Sequence, residues 1–138
     1  LRRGTPYALL AVDVDHFKRV NDEHGHAVGD EALVHVARAL RESLRSDDCV
    51  ARMGGEEFCA LLCDCDRDEA LAHAERLRGA VAATPLRLAD GRPLRLTVSV
   101  GVALAADAVE PRALLEQADG ALYAAKDAGR NRVVLHAA

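Results

Sequence analysis

The chain has 138 residues, half of them hydrophobic but only 3% aromatic, which fits one domain with an aliphatic core of Leu, Val and Ala. A net charge of -4 argues against a general nucleic-acid binder, which needs a basic surface. No apolar run approaches the ~18 residues of a membrane span and no signal-like start is present; the opening Leu1-Arg2-Arg3, without a methionine, reads as a piece of a longer protein.

The first apolar run, Tyr7-Ala8-Leu9-Leu10-Ala11-Val12, is short, continuous and bounded by Pro6. That pattern predicts a strand buried on both faces. It ends in Asp13-Val14-Asp15. Acids two apart on a strand share a face, and a carboxylate at the end of a buried strand needs a partner, for which a metal ion is one candidate. Asp15 is also suited to cap a helix starting near His16. Phe17 to Asp22 predicts a short helix, broken by Gly25 and Gly29. Asp30 then opens a long amphipathic helix with Leu33, Val34, Val36, Ala37, Leu40 and Leu44 at helical spacing, ending near Arg45.

Next come Cys49-Val50-Ala51 and Phe58-Cys59-Ala60-Leu61-Leu62, separated by Arg52-Met53-Gly54-Gly55-Glu56-Glu57. This predicts a hairpin with a Gly-Gly turn. Two carboxylates at its lip are within reach of a hard cation, and the glycines leave room beside them for a phosphate chain. Cys49, Cys59, Cys63 and Cys65 lack the paired CxxC spacing of a zinc site and read as reduced core thiols.

Asp66-Arg67-Asp68-Glu69 starts a second long helix with acids in its first turn. Leu86 to Leu88 is a short strand and Asp90-Gly91 a turn. Leu94 to Ala103 is the longest strand candidate. Pro111 begins a third long helix, which Gly129 stops, and Val133-Val134-Leu135 is a last strand. Mixed helices and strands with hairpins imply an α/β (α+β) domain over residues 1–138: a central mixed, largely antiparallel sheet of about five strands, covered by helices.

Several blocks occur in order: Asp13-Val14-Asp15-His16-Phe17-Lys18 with Asn21-Asp22; Gly25-His26 with Gly29-Asp30; Arg52-Met53-Gly54-Gly55-Glu56-Glu57-Phe58; Ser99-Val100-Gly101-Val102; Ala118-Asp119 with Ala121-Leu122-Tyr123, Ala125 and Lys126; and Gly129-Arg130-Asn131. On these the chain resembles the catalytic domain of the GGDEF family of diguanylate cyclases, in its GGEEF variant, from Tyr7 to Val134. The resemblance implies a fold like the palm of polymerases and nucleotide cyclases. It implies condensation of two GTP into cyclic di-GMP with release of pyrophosphate, Mg²⁺ as cofactor with Mn²⁺ as a substitute, and catalysis where two copies of the domain meet as a homodimer.

Carried residue by residue, the resemblance makes Asp13, Glu56 and the main-chain carbonyl of Val14 metal ligands, with Glu57 assisting at a second metal. Glu56 is also the candidate base for the attacking 3′-hydroxyl, and Lys18 stabilises charge on the phosphates. Asn21 and Asp30 match guanine-binding positions: a carboxylate accepts the N1–H and N2–H₂ donors that adenine lacks. His26 lies near the substrate, Gly54 and Gly55 let the backbone approach the nucleotide, and Lys126 and Arg130 contact the terminal phosphates. Arg45 and Asp48 form an RxxD five residues before Gly54, the placement of the family's product-inhibition site; arginine bonds bidentately to guanine or phosphate, and on its own such a pair is an ordinary surface ion pair.

The family's upstream block, roughly D-x-L-T-G-L-x-N-R, has no match in Leu1 to Thr5. A sensory or dimerising domain upstream is expected in the parent protein, which is either soluble or membrane-anchored and holds this domain in the cytoplasm. The alternative is a catalytically silent module that binds GTP or cyclic di-GMP, against which the intact Gly54-Gly55-Glu56-Glu57-Phe58, Asp13 and Lys126 argue. No nucleic-acid partner is expected.

Overall fold

A computed structural model describes residues 6–105 and 110–136; the Leu1–Thr5 stretch discussed above lies outside them. The elements run β1 (Tyr7–Val14), α1 (Phe17–His24), α2 (His26–Ser43), β2 (Cys49–Gly54), β3 (Glu57–Cys63), α3 (Arg67–Ala83), β4 (Leu86–Arg87), β5 (Pro93–Leu94), β6 (Val98–Ala105), α4 (Pro111–Asp127) and β7 (Val133–Leu135).

β1 is the middle of a five-stranded sheet of order β2-β3-β1-β6-β7. It pairs antiparallel with β3 on one side and with β6 on the other. Only the β6–β7 pair is parallel, with α4 as its crossover. The sheet is therefore mixed and largely antiparallel, as expected. Leu10, Val12, Leu62 and Val100 join Leu33, Val36, Leu40, Leu77 and Val81 in one core on the side of α1–α3. Ala11, Ala103 and Ala105 meet Leu114, Ala118 and Leu122 of α4 in a smaller core on the other side. Both faces of β1 are covered, which is why it reads as unbroken apolar sequence.

Five local expectations are corrected. The run from Leu94 is not one strand: β5 pairs with β4 in a separate hairpin, and β6 starts at Val98. Between them Thr97 turns its polar groups to Asp15, whose N–H donates to the Thr97 carbonyl at 2.9 Å. Asp15 caps no helix: the N-cap of α1 is His16, in a left-handed conformation without a side-chain cap. Asp30 does not open the long helix; α2 begins at His26, after Gly25 with φ 88°, and contains Gly29. Gly29 is required by packing, since a Cβ there would lie 1.8 Å from Asn21 Oδ1. The hairpin turn is Gly55-Glu56, because a bulge at Met53 makes Gly54 the strand residue opposite Glu57. Finally, only Cys65 is a core thiol; Cys59 and Cys63 are half-buried and Cys49 is exposed. All three occupy positions on the same face of the β2–β3 hairpin, around the Cys49–Leu61 pair.

Candidate active site

The C-terminal end of β1 and the β2–β3 turn meet beside the C-terminus of α4. Asp13, Val14, Lys18, Glu56, Lys126 and Arg130 line one cavity there of about 500 Å³. Six of the sequence-predicted residues, scattered over more than a hundred positions, thus converge. Val14 N–H donates to the Glu56 carbonyl at 3.2 Å, which fastens the hairpin tip to the end of β1. The next amide, that of Asp15, is held on Thr97. The Val14–Asp15 peptide is planar and trans, so the Val14 carbonyl is directed away from β6, toward the hairpin tip.

Asp13 is 5% exposed. Its Oδ2 accepts a hydrogen bond from Lys126 Nζ, while its Oδ1 is buried without any partner. Burial pushes this carboxyl above the usual carboxylate range; Lys126 pulls it down, and the charges of Glu56 and Asp15 push it up again. A buried carboxylate with an unsatisfied oxygen and an acidic neighbour is a place a cation would relieve. Among the described residues no three His, Cys, Asp or Glu side chains form a closed metal cage. Two carboxylates and a carbonyl on an open cavity suit Mg²⁺, which keeps waters and takes substrate phosphates as ligands. The donor set fits the ion.

Glu57 stands elsewhere. It pairs in register with Asp13 on β1, and its side chain is beside Asp119 of α4. Burial raises the Glu57 carboxyl first, then the hydrogen bond and charge of Asp119, then Asp13. Nothing local in the sequence pairs Asp119 with Glu57; its place in the Ala118–Lys126 block is the available signal. A carboxyl whose value is raised by folding contributes stability at acid pH that is lost as pH rises through the folded value. Asp119→Asn is therefore expected to melt with the wild type near about pH 4 and above it near about pH 7.5. Parallel melting-temperature profiles across that range would show that the two acids do not interact.

Asp30 does not line this cavity. It lies on a second one of about 450 Å³ between α2 and β2, with Leu33, Arg52 and Phe58. Asn21 is half-buried on α1 against Gly29, and His26, Gly54 and Gly55 are exposed. Arg52 Nε donates to the Gly55 carbonyl at 2.9 Å and so braces the turn.

Arg45 and Asp48 lie at the other end of β3, six residues and so about 20 Å from the hairpin tip. Their side chains clasp each other and the end of that strand. Arg45 Nε donates to Asp48 Oδ2 at 3.2 Å and Nη2 to the Cys63 carbonyl at 2.5 Å, while Cys63 N donates to Asp48 Oδ1 at 3.1 Å. Burial pushes Asp48 up, but Arg45 and the amides of Arg45 and Cys63 outweigh it, and the net direction is down. The pair is more than a loose surface bridge: the Asp48 side chain is fully covered and Arg45 remains partly exposed.

The family model described as "Diguanylate cyclase, GGDEF domain" matches residues 1–132. The chain is 44% identical over 134 residues to diguanylate cyclase DosC of Escherichia coli K12, covering 97% of this chain and 29% of that protein. It is 44% identical over 137 residues to the response regulator PleD of Caulobacter vibrioides, covering 98% and 30% respectively. Among solved structures, the GGDEF domain of DgcB from Caulobacter crescentus, in complex with c-di-GMP, superposes with a TM-score of 0.91 at 34% identity, over 96% of this chain and 79% of that one. The chain thus spans under a third of the length of these two curated relatives.

Proposed function

This chain belongs to the GGDEF family of diguanylate cyclase domains, and on that footing we propose that it condenses two GTP into cyclic di-GMP, releasing two pyrophosphates. The observation that carries the reading is the cavity that Asp13, Val14 and Glu56 line together with four cations, Lys18, Arg19, Lys126 and Arg130, and two further acids, Asp22 and Glu23.

In this reading Asp13, Glu56 and the Val14 carbonyl hold Mg²⁺, or Mn²⁺ in its place. The ion supplies charge neutralisation at the reacting phosphate and the leaving pyrophosphate. Lys18, Lys126 and Arg130 bind the phosphate chain; Lys126 leaves Asp13 for the triphosphate when nucleotide enters. Glu56 accepts the proton of the 3′-hydroxyl that attacks the α-phosphate of the other GTP. Asp30 and Asn21 select guanine, with His26 near the substrate, and the exposed Gly54 and Gly55 leave room for the nucleotide. Each domain holds one GTP, so two copies must face each other, and rate comes mainly from positioning and electrostatics. Glu57, held beside Asp119, assists at a second metal only after leaving that neighbour.

Arg45 and Asp48 form a product site distant from the catalytic cavity, where cyclic di-GMP restrains the domain. Arg45→Ala is expected to keep activity and to weaken inhibition by added cyclic di-GMP by about tenfold. An unchanged inhibition curve would leave the clasp with a purely structural role. No helix among the described residues is long and apolar enough to cross a membrane, and we place the domain in the cytoplasm beneath an upstream input domain.

The whole reading is tested by incubating the purified chain with GTP and Mg²⁺ at two protein concentrations and resolving the nucleotides by chromatography. Cyclic di-GMP rising more steeply than protein concentration is the expected result. GTP that binds but is not consumed, at either concentration, would make the domain a silent binding module.

A further inference from the structure

Asp15 has no part in the reading above, yet it is among the most buried polar side chains, 6% exposed. Both of its oxygens are filled. Ser99 Oγ donates to Oδ1 at 2.6 Å; Thr97 Oγ1 donates to Oδ2 at 2.7 Å and the backbone N–H of Asn131 at 3.0 Å. Thr97 and Ser99 flank the start of β6, whereas Asn131 belongs to the connection between α4 and β7. That connection is unusual. Arg130 has φ 64° and Asn131 φ 47°, two consecutive non-glycine residues in the left-handed region, which side chains avoid unless their surroundings fix them. Arg130 is the cation this connection presents to the catalytic cavity.

We propose that Asp15 is a positioning residue for substrate phosphate: through the Asn131 amide it holds the α4–β7 connection in the left-handed conformation that points Arg130 into the cavity. A second tether reaches the same residue from outside, since Arg78 Nη1 of α3 donates to Asn131 Oδ1 at 2.8 Å. The Arg130 N–H donates to the Ala125 carbonyl at 3.0 Å and ties the connection to its helix. Asp15 itself touches no substrate. Its side chain holds Asn131, Thr97 and Ser99, and its backbone amide donates separately to the Thr97 carbonyl. A side-chain truncation leaves that backbone hydrogen bond, which orients the Val14–Asp15 peptide, available.

The inference rests on Arg130 binding phosphate, and its test separates the two. The probe is the α,β-methylene analogue of GTP, which cannot be condensed, titrated calorimetrically into the full chain with Mg²⁺. Arg130→Ala is expected to weaken binding about tenfold, the order of one lost charge-assisted contact. Asp15→Ala is expected to weaken it by about as much, and to add less than about twofold when Arg130 is already Ala. Asp15→Asn is expected to bind nearly as the wild type. Its amide oxygen still accepts from Asn131 and Thr97, and its NH₂ finds the Ser99 hydroxyl, which can accept. Arg78→Met loosens the same connection without entering the core and carries the test should Asp15→Ala not fold; it too is expected to weaken binding in the wild-type background and to add little to Arg130→Ala. Full additivity of Asp15→Ala or Arg78→Met with Arg130→Ala overturns the positioning role. An Asp15→Asn as weak as Asp15→Ala overturns it as well, because charge rather than geometry would then be the cause. If Arg130→Ala binds normally, the phosphate contact fails first and the inference with it.

Discussion

Glu56→Gln is expected to abolish formation of cyclic di-GMP, by about 10³-fold or more, without unfolding the domain. The substitution keeps the shape of the side chain but removes the charge that would hold the ion and the basicity that would take the 3′-hydroxyl proton. The fold has little at stake in the carboxylate. Among the described residues it makes no hydrogen bond or ion pair, and the contact that fixes the turn is made by the Glu56 backbone carbonyl, which the variant retains. Its charge is one of the influences that raise Asp13, so the variant should melt at or slightly above the wild-type temperature. Turnover within about tenfold of wild type, measured by chromatography of the nucleotides, would remove Glu56 from the metal and base roles. A large fall in melting temperature would make the activity loss uninformative, and Asp13→Asn with a Mn²⁺ titration would then take its place.

Gly101→Ala is expected to destabilise the domain by about 3 kcal/mol, the upper end of ordinary overpacking costs. A Cβ at Gly101 would lie 2.2 Å from the Ala118 carbonyl oxygen, 2.2 Å from Leu122 N and 2.8 Å from Leu122 Cα. These are backbone atoms of α4, so no side-chain rotation removes the clash; the helix must move off the sheet. Lys126 is one turn further along the same helix, and a displacement of about 1 Å there is enough to cost about 10²-fold in rate. Gly120→Ala is the control. It lies in the same helix with open space around its Cβ and should be neutral or stabilising by up to about 1 kcal/mol. Denaturant midpoints for the two variants decide the matter. Equal midpoints would mean that α4 is not seated on β6 as closely as described.

Much of the site was legible before the fold, because its residues fall in ordered blocks. Asp13, Glu56, Lys18, Lys126 and Arg130 were all named from sequence, and the fold collects them on one cavity with the Val14 carbonyl. The errors have a common origin in residues that local rules claim twice. Asp15 looked like a helix cap, since an acid before a helix usually is one; its real partners, Thr97, Ser99 and Asn131, are more than eighty residues away. Gly29 looked like a helix breaker because only the distant side chain of Asn21 explains why a Cβ is excluded inside a helix. Nothing local in the sequence brings Asp119 beside Glu57 either.

The sequence by itself determined the aliphatic core, the sheet-and-helix alternation, the hairpin with its two acids and the family. Those follow from hydrophobic spacing and from short blocks, which are local properties of a chain. Only the tertiary structure decided which strand stands at the centre and that β6 breaks before Val98. It alone decided that Lys126 is the partner of Asp13, that Arg45 and Asp48 lock the end of β3, and that Asp15 reaches across to the loop carrying Arg130. Each of those is a pairing of polar groups over long sequence distances. Such pairings are chosen by which buried donors and acceptors the packed sheet leaves to be satisfied, a constraint that does not exist until the sheet is assembled.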